Sequence, residues 1–391
     1  MREGWEIKTI GDICFVGGGS TPRRTEKAFW ENGTYPWFSI DDIRDQGRII
    51  TETKQKITKL AWSKMRVFPA NSVLLCCTAS VGEYALSTIP ITSNQQFNGL
   101  TIKDHKQMLP MYLFYFCSTL KPVLQGLSGR ATIDFVSSEK VRQIRIPFPS
   151  LPEQQRIVDI LDREFAKIDT LKANAEKSLQ AAKDLFLQIL TETFSNPDWT
   201  RKRIGDVFDT GAGGTPLKTY KEYYDNGDIP WLRSGEVCKK YITKTEMFIT
   251  QLGMNNSSAK MFPKNSVVVA MYGATAGQVG ILHLETTTNQ AVCCIFPKED
   301  YVPEFIYYSL LNSKKELVAQ ATGNAQPNIS QIKIKNTTIP TISKKEQEEV
   351  VSGLDDLNDK CNALQENYQK TLTLCDDLKQ SLLRKAFSGE L

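Results

Sequence analysis

Laid over itself at an offset of 194 residues, this chain of 391 matches its own second half. Trp5, Ile10, Gly11 and Asp12 fall on Trp199, Ile204, Gly205 and Asp206. Gly17-Gly18-Gly19-Ser20-Thr21-Pro22 falls on Gly211-Ala212-Gly213-Gly214-Thr215-Pro216, and Pro36-Trp37 on Pro230-Trp231. Phe68-Pro69 and Asn71-Ser72-Val73 fall on Phe262-Pro263 and Asn265-Ser266-Val267. With one-residue slips the match continues through Gly82 and Gly277, Asn94-Gln95 and Asn289-Gln290, Glu153-Gln154 and Glu346-Gln347, to Phe194-Ser195 and Phe387-Ser388. So many rare residues in one register mean duplication. A period this long gives two domains, since solenoid repeats run about 20–50 residues.

Each half has two parts. Residues 1–150 and 198–340 mix short β-rich runs with Gly, Pro and Asn turns and one aromatic helical stretch, near 110–120 and 303–313. That pattern predicts an α+β domain with a mixed, largely antiparallel sheet. Residues 151–197 and 341–391 differ. From 153 to 195 there is no Pro or Gly, and apolar residues recur in steps of three and four: Ile157, Leu161, Phe165, Ile168, Leu171, Ala175, Leu179, Ala182, Phe186, Ile189. The copy runs Val350, Leu354, Leu357, Cys361, Leu364, Tyr368, Leu372, Cys375, Leu378, Leu382. Such a seam suits pairing with another long helix, here as two antiparallel, coiled-coil-like helices that separate the globular domains.

Charge follows the same division. Residues 1–150 and 198–340 carry +6 and +3, while 151–197 and 341–391 carry −2 and −3. Basic globular parts on acidic helices point to a polyanion bound at two places. The nine cysteines include no Cys-x-x-Cys and suit reduced, buried thiols; the two histidines, His105 and His283, supply neither a metal site nor a triad. The N-terminus, Met1-Arg2-Glu3-Gly4-Trp5, lacks a signal-peptide stretch, and no run of about eighteen apolar residues occurs, so a cytoplasmic location with no membrane contact is expected.

Catalytic motifs are missing. The glycine-rich 17–22 stretch lacks the Gly-Lys-Ser/Thr ending of a phosphate loop. Asp41, Asp42 and Glu52-Thr53-Lys54 imitate a metal-nuclease set, but the copy reads Gly235, Glu236 and Lys244-Thr245-Glu246. There is no Gly-x-Ser-x-Gly elbow and no Pro-Pro for an amino-methyltransferase tetrapeptide. What remains is recognition through Gly/Pro-punctuated loops. Arg23 and Arg24 follow Thr21-Pro22, and Lys218 follows Thr215-Pro216; Arg44, and Arg233 with Ser234, lie beyond the two Pro-Trp pairs. A third loop holds Arg130 and Thr132, and in the copy Asn324 and Gln326. Arginine fits guanine O6/N7 and Asn or Gln fits adenine N6/N7, so these are candidate DNA contacts, each also compatible with a phosphate contact. Trp37 and Trp231 read as core anchors.

Two modules marked by Gly-rich-Thr-Pro and Pro-Trp, with helix starts Leu151-Pro152-Glu153-Gln154-Gln155-Arg156-Ile157 and Ser343-Lys344-Lys345-Glu346-Gln347-Glu348-Glu349, resemble the specificity subunit of a type I restriction–modification system over the full chain. The second start lacks the Leu-Pro pair, which leaves its first turn weakly specified. The resemblance implies two target-recognition domains and two spacer helices that recruit two modification subunits. Those partners bring S-adenosylmethionine and methylate adenine in double-stranded DNA, and restriction subunits join to cleave unmodified DNA. It implies no catalysis and no cofactor in this chain. No family base contact transfers, because those positions vary with target. Since the loops differ between copies, the expected target is asymmetric and split. A protein-binding scaffold and a nuclease with an unrecognised site are the alternatives.

Overall fold

The computed structural model describes residues 3–128, 135–319 and 328–391. The chain falls into two compact units, residues 1–176 with 370–391, and residues 177–369. Four helices organise them: α1 (Pro110–Cys117), α2 (Leu151–Phe194), α3 (Pro303–Ala319) and α4 (Lys344–Ser388). Among the described residues, no helix is long and apolar enough to cross a membrane.

In the first unit a five-stranded sheet runs in the order Cys14–Gly18, Phe97–Ile102, Ser72–Cys76, Tyr84–Ser87, Ile49–Ile50. Its central strand is buried at every position, as the unbroken run Val73-Leu74-Leu75-Cys76 requires. The pairings are antiparallel except the last, where Ile49 meets Leu86 in parallel. A smaller sheet places Tyr35–Phe38 between Gln55–Ile57, antiparallel, and Thr92–Ser93, parallel. The second unit repeats the plan: Thr210–Ala212, Val292–Ile295, Val267–Ala270, Val279–Leu282 and Tyr241–Ile242 form the larger sheet in the same order. These are mixed sheets in an α+β fold, duplicated.

The long helices complete each core. In the first unit Tyr112, Leu113 and Phe116 of α1 pack with Ile157, Val158 and Leu161 of α2 and with Leu383 and Ala386 of α4. In the second, Phe305, Ile306 and Tyr308 of α3 pack with Leu190 and Phe194 of α2 and with Val351 and Leu354 of α4. Burying one such side chain is worth about 1.5–3 kcal/mol, so neither module is finished without its helices.

The helix starts are fastened by a shared device. Gln154 is fully buried; its Oε1 accepts from Leu109 N–H at 2.9 Å, and its Nε2 donates to the carbonyls of Gln107 and Pro149, both at 2.9 Å. Gln347 repeats this with Val302 N–H at 2.9 Å and the carbonyls of Asp300 and Ile342, both at 3.0 Å. Farther along, the hydroxyls of Tyr115 and Tyr308 donate to Asp162 and Asp355. The second start lacks the Leu-Pro pair and is fixed by a capping box. Ser343 Oγ accepts from Glu346 N–H at 3.3 Å, and Glu346 Oε2 accepts from Ser343 N–H at 2.9 Å. That first turn is therefore well specified, by Ser-x-x-Glu.

The seam follows the expected steps of three and four, with a buried row along its middle. Ile168, Ala175 and Ala182 are buried on α2, and Leu354, Cys361 and Cys375 on α4, spaced by multiples of seven. Leu171, Leu364 and Leu378 are 51%, 42% and 49% exposed. At about 100° per residue a three-residue step lands about 60° off the row, so Phe165, Leu179, Leu357 and Leu372 beside it are half-buried while Leu171, Leu364 and Leu378 lie at the exposed edge. Within the first unit the two helices are antiparallel, with Lys172 Nζ 2.7 Å from Asp376 and Lys379 paired to Asp169.

Candidate nucleic-acid interface

Each module is built around one tryptophan. Trp37, on Tyr35–Phe38, is buried, and its Nε1 donates to Ser20 O at 3.1 Å. Trp231 donates to Gly214 O at 3.0 Å. Close approach of the backbone is what the glycines permit. A Cβ on Gly19 would stand 2.4 Å from Asn94 O, and one on Gly213 1.9 Å from Thr288 O. The next threonine is tied in the same way in both: Thr21 Oγ1 donates to Gln95 Oε1 at 2.5 Å, and Thr215 Oγ1 to Gln290 Oε1. Both tryptophans are thus anchors that fix the turn entering the Thr-Pro loop.

On this common frame the tips differ. In the first module the Arg24 guanidinium lies over the rings of Trp30 and Trp37, 4.1 and 4.6 Å from their centroids, and Nη1 donates to Gln55 Oε1 at 2.7 Å. The Arg23 side chain is exposed, and its carbonyl accepts from Trp30 Nε1 at 3.1 Å. In the second module Tyr224 takes the place of Trp30, edge-on to Trp231 at 5.9 Å, with its hydroxyl donating to Pro216 O at 2.5 Å. Lys218 is exposed there beside Leu217, which is 62% exposed, and Tyr220 stacks on Tyr223 at 5.1 Å. Sequence reasoning misses Trp30, Gln55, Tyr220 and Tyr223; their aromatic spacing is the available signal.

The other expected contacts divide. Arg44 is exposed, paired with Asp41 at 3.1 Å, and lines a hollow of about 460 Å³ with Ile40, Ala79, Lys121 and Gln125. Ala79 sits at φ +62°, where the second module has Gly273 at φ +76°. Arg233 is held by two carboxylates, Glu236 at 3.1 Å and Glu246 at 2.5 Å, and Ser234 is half-buried at the start of the short turn Ser234–Glu236. Arg130, Thr132, Asn324 and Gln326 lie outside the described residues. The segments that follow them are anchored alike, with Val136 N–H on Cys77 O at 2.9 Å and Ile329 N–H on Met271 O at 2.8 Å.

The nuclease-like carboxylates have structural work. Asp42 accepts from the N–H groups of Ser39 and Lys54 at 2.8 and 2.7 Å, and burial pushes its carboxyl up from the usual range. Glu236 does the same for Arg233 and Glu246, at 3.1 and 2.7 Å. Among the described residues no group of three or more His, Cys, Asp or Glu could hold a metal ion.

Residues 2–181 and 196–374 match the family model described as type I restriction modification DNA specificity domain. The chain is 26% identical to the type I restriction enzyme MjaIX specificity subunit of Methanocaldococcus jannaschii, over 99% of its own length and 93% of that protein's. Against the EcoprrI specificity subunit of Escherichia coli it is 33% identical, over 54% of this chain and 57% of the other. Its fold is similar to that of the HsdS subunit from Thermoanaerobacter tengcongensis, with TM-score 0.65, 19% identity and coverage of 100% and 98%. A second neighbour, from work on complex assembly in a type I restriction–modification system, gives TM-score 0.82 at 19% identity, covering 100% and 99%.

Proposed function

The chain belongs to the type I restriction modification DNA specificity family, and we propose that its two modules each read one half of an asymmetric, split DNA site. It is the sequence-specific DNA-recognition component of a restriction–modification complex and is not itself an enzyme. On this reading residues 1–150 and 198–340 are the target-recognition domains, and 151–197 and 341–391 the spacer helices. One observation carries the proposal: a tryptophan frame kept in both copies holds tips that differ, Arg24 over two tryptophans in one and Lys218 with stacked tyrosines in the other. A shared frame gives a shared docking pose, and different tips give different sequences.

The long helices support a reading with two modification subunits, one per unit. The first unit exposes Leu171, Leu374 and Leu378, and the second Leu185, Leu187 and Leu364, each set drawn from both long helices. Equal apolar sets of this kind suit two copies of one partner, with S-adenosylmethionine bound in that partner. Restriction subunits complete the assembly.

The test is module exchange. With modification subunit and labelled S-adenosylmethionine, replacing residues 1–150 by the module of another specificity subunit should change one half of the methylated sequence. A change in both halves, or in neither, would refute separate readers. Arg24→Ala should relax discrimination at one base pair by about 1–3 kcal/mol, whereas Arg23→Ala should weaken all sequences alike.

A further inference from the structure

The first module has a second basic feature, on the strand that leads into the Thr-Pro loop. A hollow of about 490 Å³ beside Cys14–Gly18 is lined by Arg66, Lys103 and Arg142, and no carboxylate among the described residues lines it. All three side chains are exposed. Each donates to a main-chain carbonyl, a neutral acceptor. Arg66 donates to Gly18 O at 3.3 Å, Lys103 to Gly11 O at 2.6 Å and Arg142 to Val16 O at 3.1 Å. Arg142 also pairs with exposed Glu139 at 2.7 Å, an ion pair worth little in water.

The second module keeps a cation at each of these places. Arg142 Cβ lies 3.0 Å from where a Cβ on Gly11 would stand, and Lys335 Cβ lies 3.1 Å from the same point on Gly205. Arg66 Nη1 would touch a Cβ on Gly17, and Lys260 Nζ one on Gly211, at 1.7 and 2.7 Å. Lys103 binds a carbonyl of the turn Ile10–Ile13, and Lys298 binds Val207 O at 3.2 Å in the matching turn. Charge is kept, but its carrier is not. Two of the three positions exchange Arg for Lys, and Phe15, 66% exposed in the first hollow, becomes Asp209.

That pattern discriminates between ligands. Recognition of guanine O6 and N7 is most exact with the planar guanidinium, and a lysine ammonium meets the same atoms as a point charge, so an Arg-to-Lys exchange weakens that geometry. A protein partner common to both units would need the apolar contact at Phe15 retained. A phosphate accepts from either cation and asks only for positive charge. We propose that Arg66, Lys103 and Arg142, and their counterparts Lys260, Lys298 and Lys335, hold the DNA sugar–phosphate backbone beside each half-site, independent of sequence. This rests on the reading of the modules as DNA readers and divides their surface into a shared footing and a variable tip.

The full-length chain is titrated with two unrelated duplexes of about 30 base pairs across a series of salt concentrations. For R66Q/K103Q/R142Q the slope of log affinity on log salt should become shallower by about 2.7, at about 0.9 for each phosphate no longer neutralised, equally on both duplexes. The variant R66K/R142K should keep the wild-type slope, which also guards against a triple variant that fails to fold. K260Q/K298Q/K335Q should repeat the first result. An unchanged slope in both triple variants overturns the proposal, as does a weakening confined to one duplex, a weakening in R66K/R142K, or impaired assembly with modification subunit while DNA binding stays intact. Wild-type protein that shows no salt-dependent DNA binding would instead overturn the reading of the modules themselves.

Discussion

Gln154 offers the sharpest test of how the modules are joined to their helices. Gln154→Ala removes one acceptor and two donated hydrogen bonds, taking from Leu109 N–H and the carbonyls of Gln107 and Pro149 the partner that a fully buried side chain supplies. At a net of about 1 kcal/mol per bond, the loss is about 3 kcal/mol before any cavity is counted. Native-state hydrogen exchange reads this directly at the Leu109 amide, which Gln154 Oε1 protects. About 3 kcal/mol is about two powers of ten in protection, since about 1.4 kcal/mol is tenfold. Gln154→Glu should do no better, because a carboxylate cannot donate to the two carbonyls. Gln347→Ala should have the same effect at Val302, whose amide donates to Gln347. A tenfold change or less at Leu109, or a Gln154→Glu variant as stable as wild type, would refute this account of the glutamine.

Three further outcomes are expected. Of the nine free thiols only Cys238 is exposed, and burial pushes Cys14 and Cys293 up to about 12, so one fast thiol should react with an aromatic disulfide reagent in native protein and nine in denaturant; two fast thiols in the native state would contradict the packing. Gly353→Ala should raise the urea midpoint by the equivalent of about 0.5–1 kcal/mol, because a Cβ there meets nothing within 4 Å and helix-interior glycine is costly. Ser343→Ala should cost about 1 kcal/mol as a lost cap. Hydrogen bonds from the Ser343 side chain and backbone hold the Glu346 carboxyl below its usual range, so the unfolded chain binds its proton first. That contribution is present at neutral pH and lost as pH falls below the ordinary glutamate range. Urea midpoints followed from about pH 6 to about pH 3 should therefore fall less steeply in Ser343→Ala than in wild type.

Much of this architecture can be read from the residues because duplication repeats what the fold cannot change. Trp37 and Trp231, Gly19 and Gly213, Gln154 and Gln347 recur because each makes the same backbone contact twice. A repeat marks such positions without an alignment. Spacing alone does not separate the buried middle of the seam from its exposed edge, because it counts apolar residues and does not see their neighbours. Leu171 and Leu364 share the period of Ile168 and Cys361, yet only the latter pair face into the buried row. The capping box at Ser343-x-x-Glu346 stands in the sequence and matches Ser150-x-x-Glu153 of the first copy, so the repeat marks that helix start even though the Leu-Pro pair between them is not kept.

The contacts that read DNA are less legible, and the reason is physical. A base-reading side chain needs no fixed partner within its own chain, so the fold leaves it free to vary. Arg233 meets the same residue-type criterion as Arg24, but its two carboxylates engage the guanidinium in the fold itself. Arg24 is the opposite case: two tryptophan faces and Gln55 hold the planar group in place while its charge stays unpaired by any described carboxylate. Stacking of this kind fixes orientation while occupying few hydrogen-bonding edges, which is what a guanine reader requires. Residue type selects candidates, and the partners each one already has within the fold decide among them.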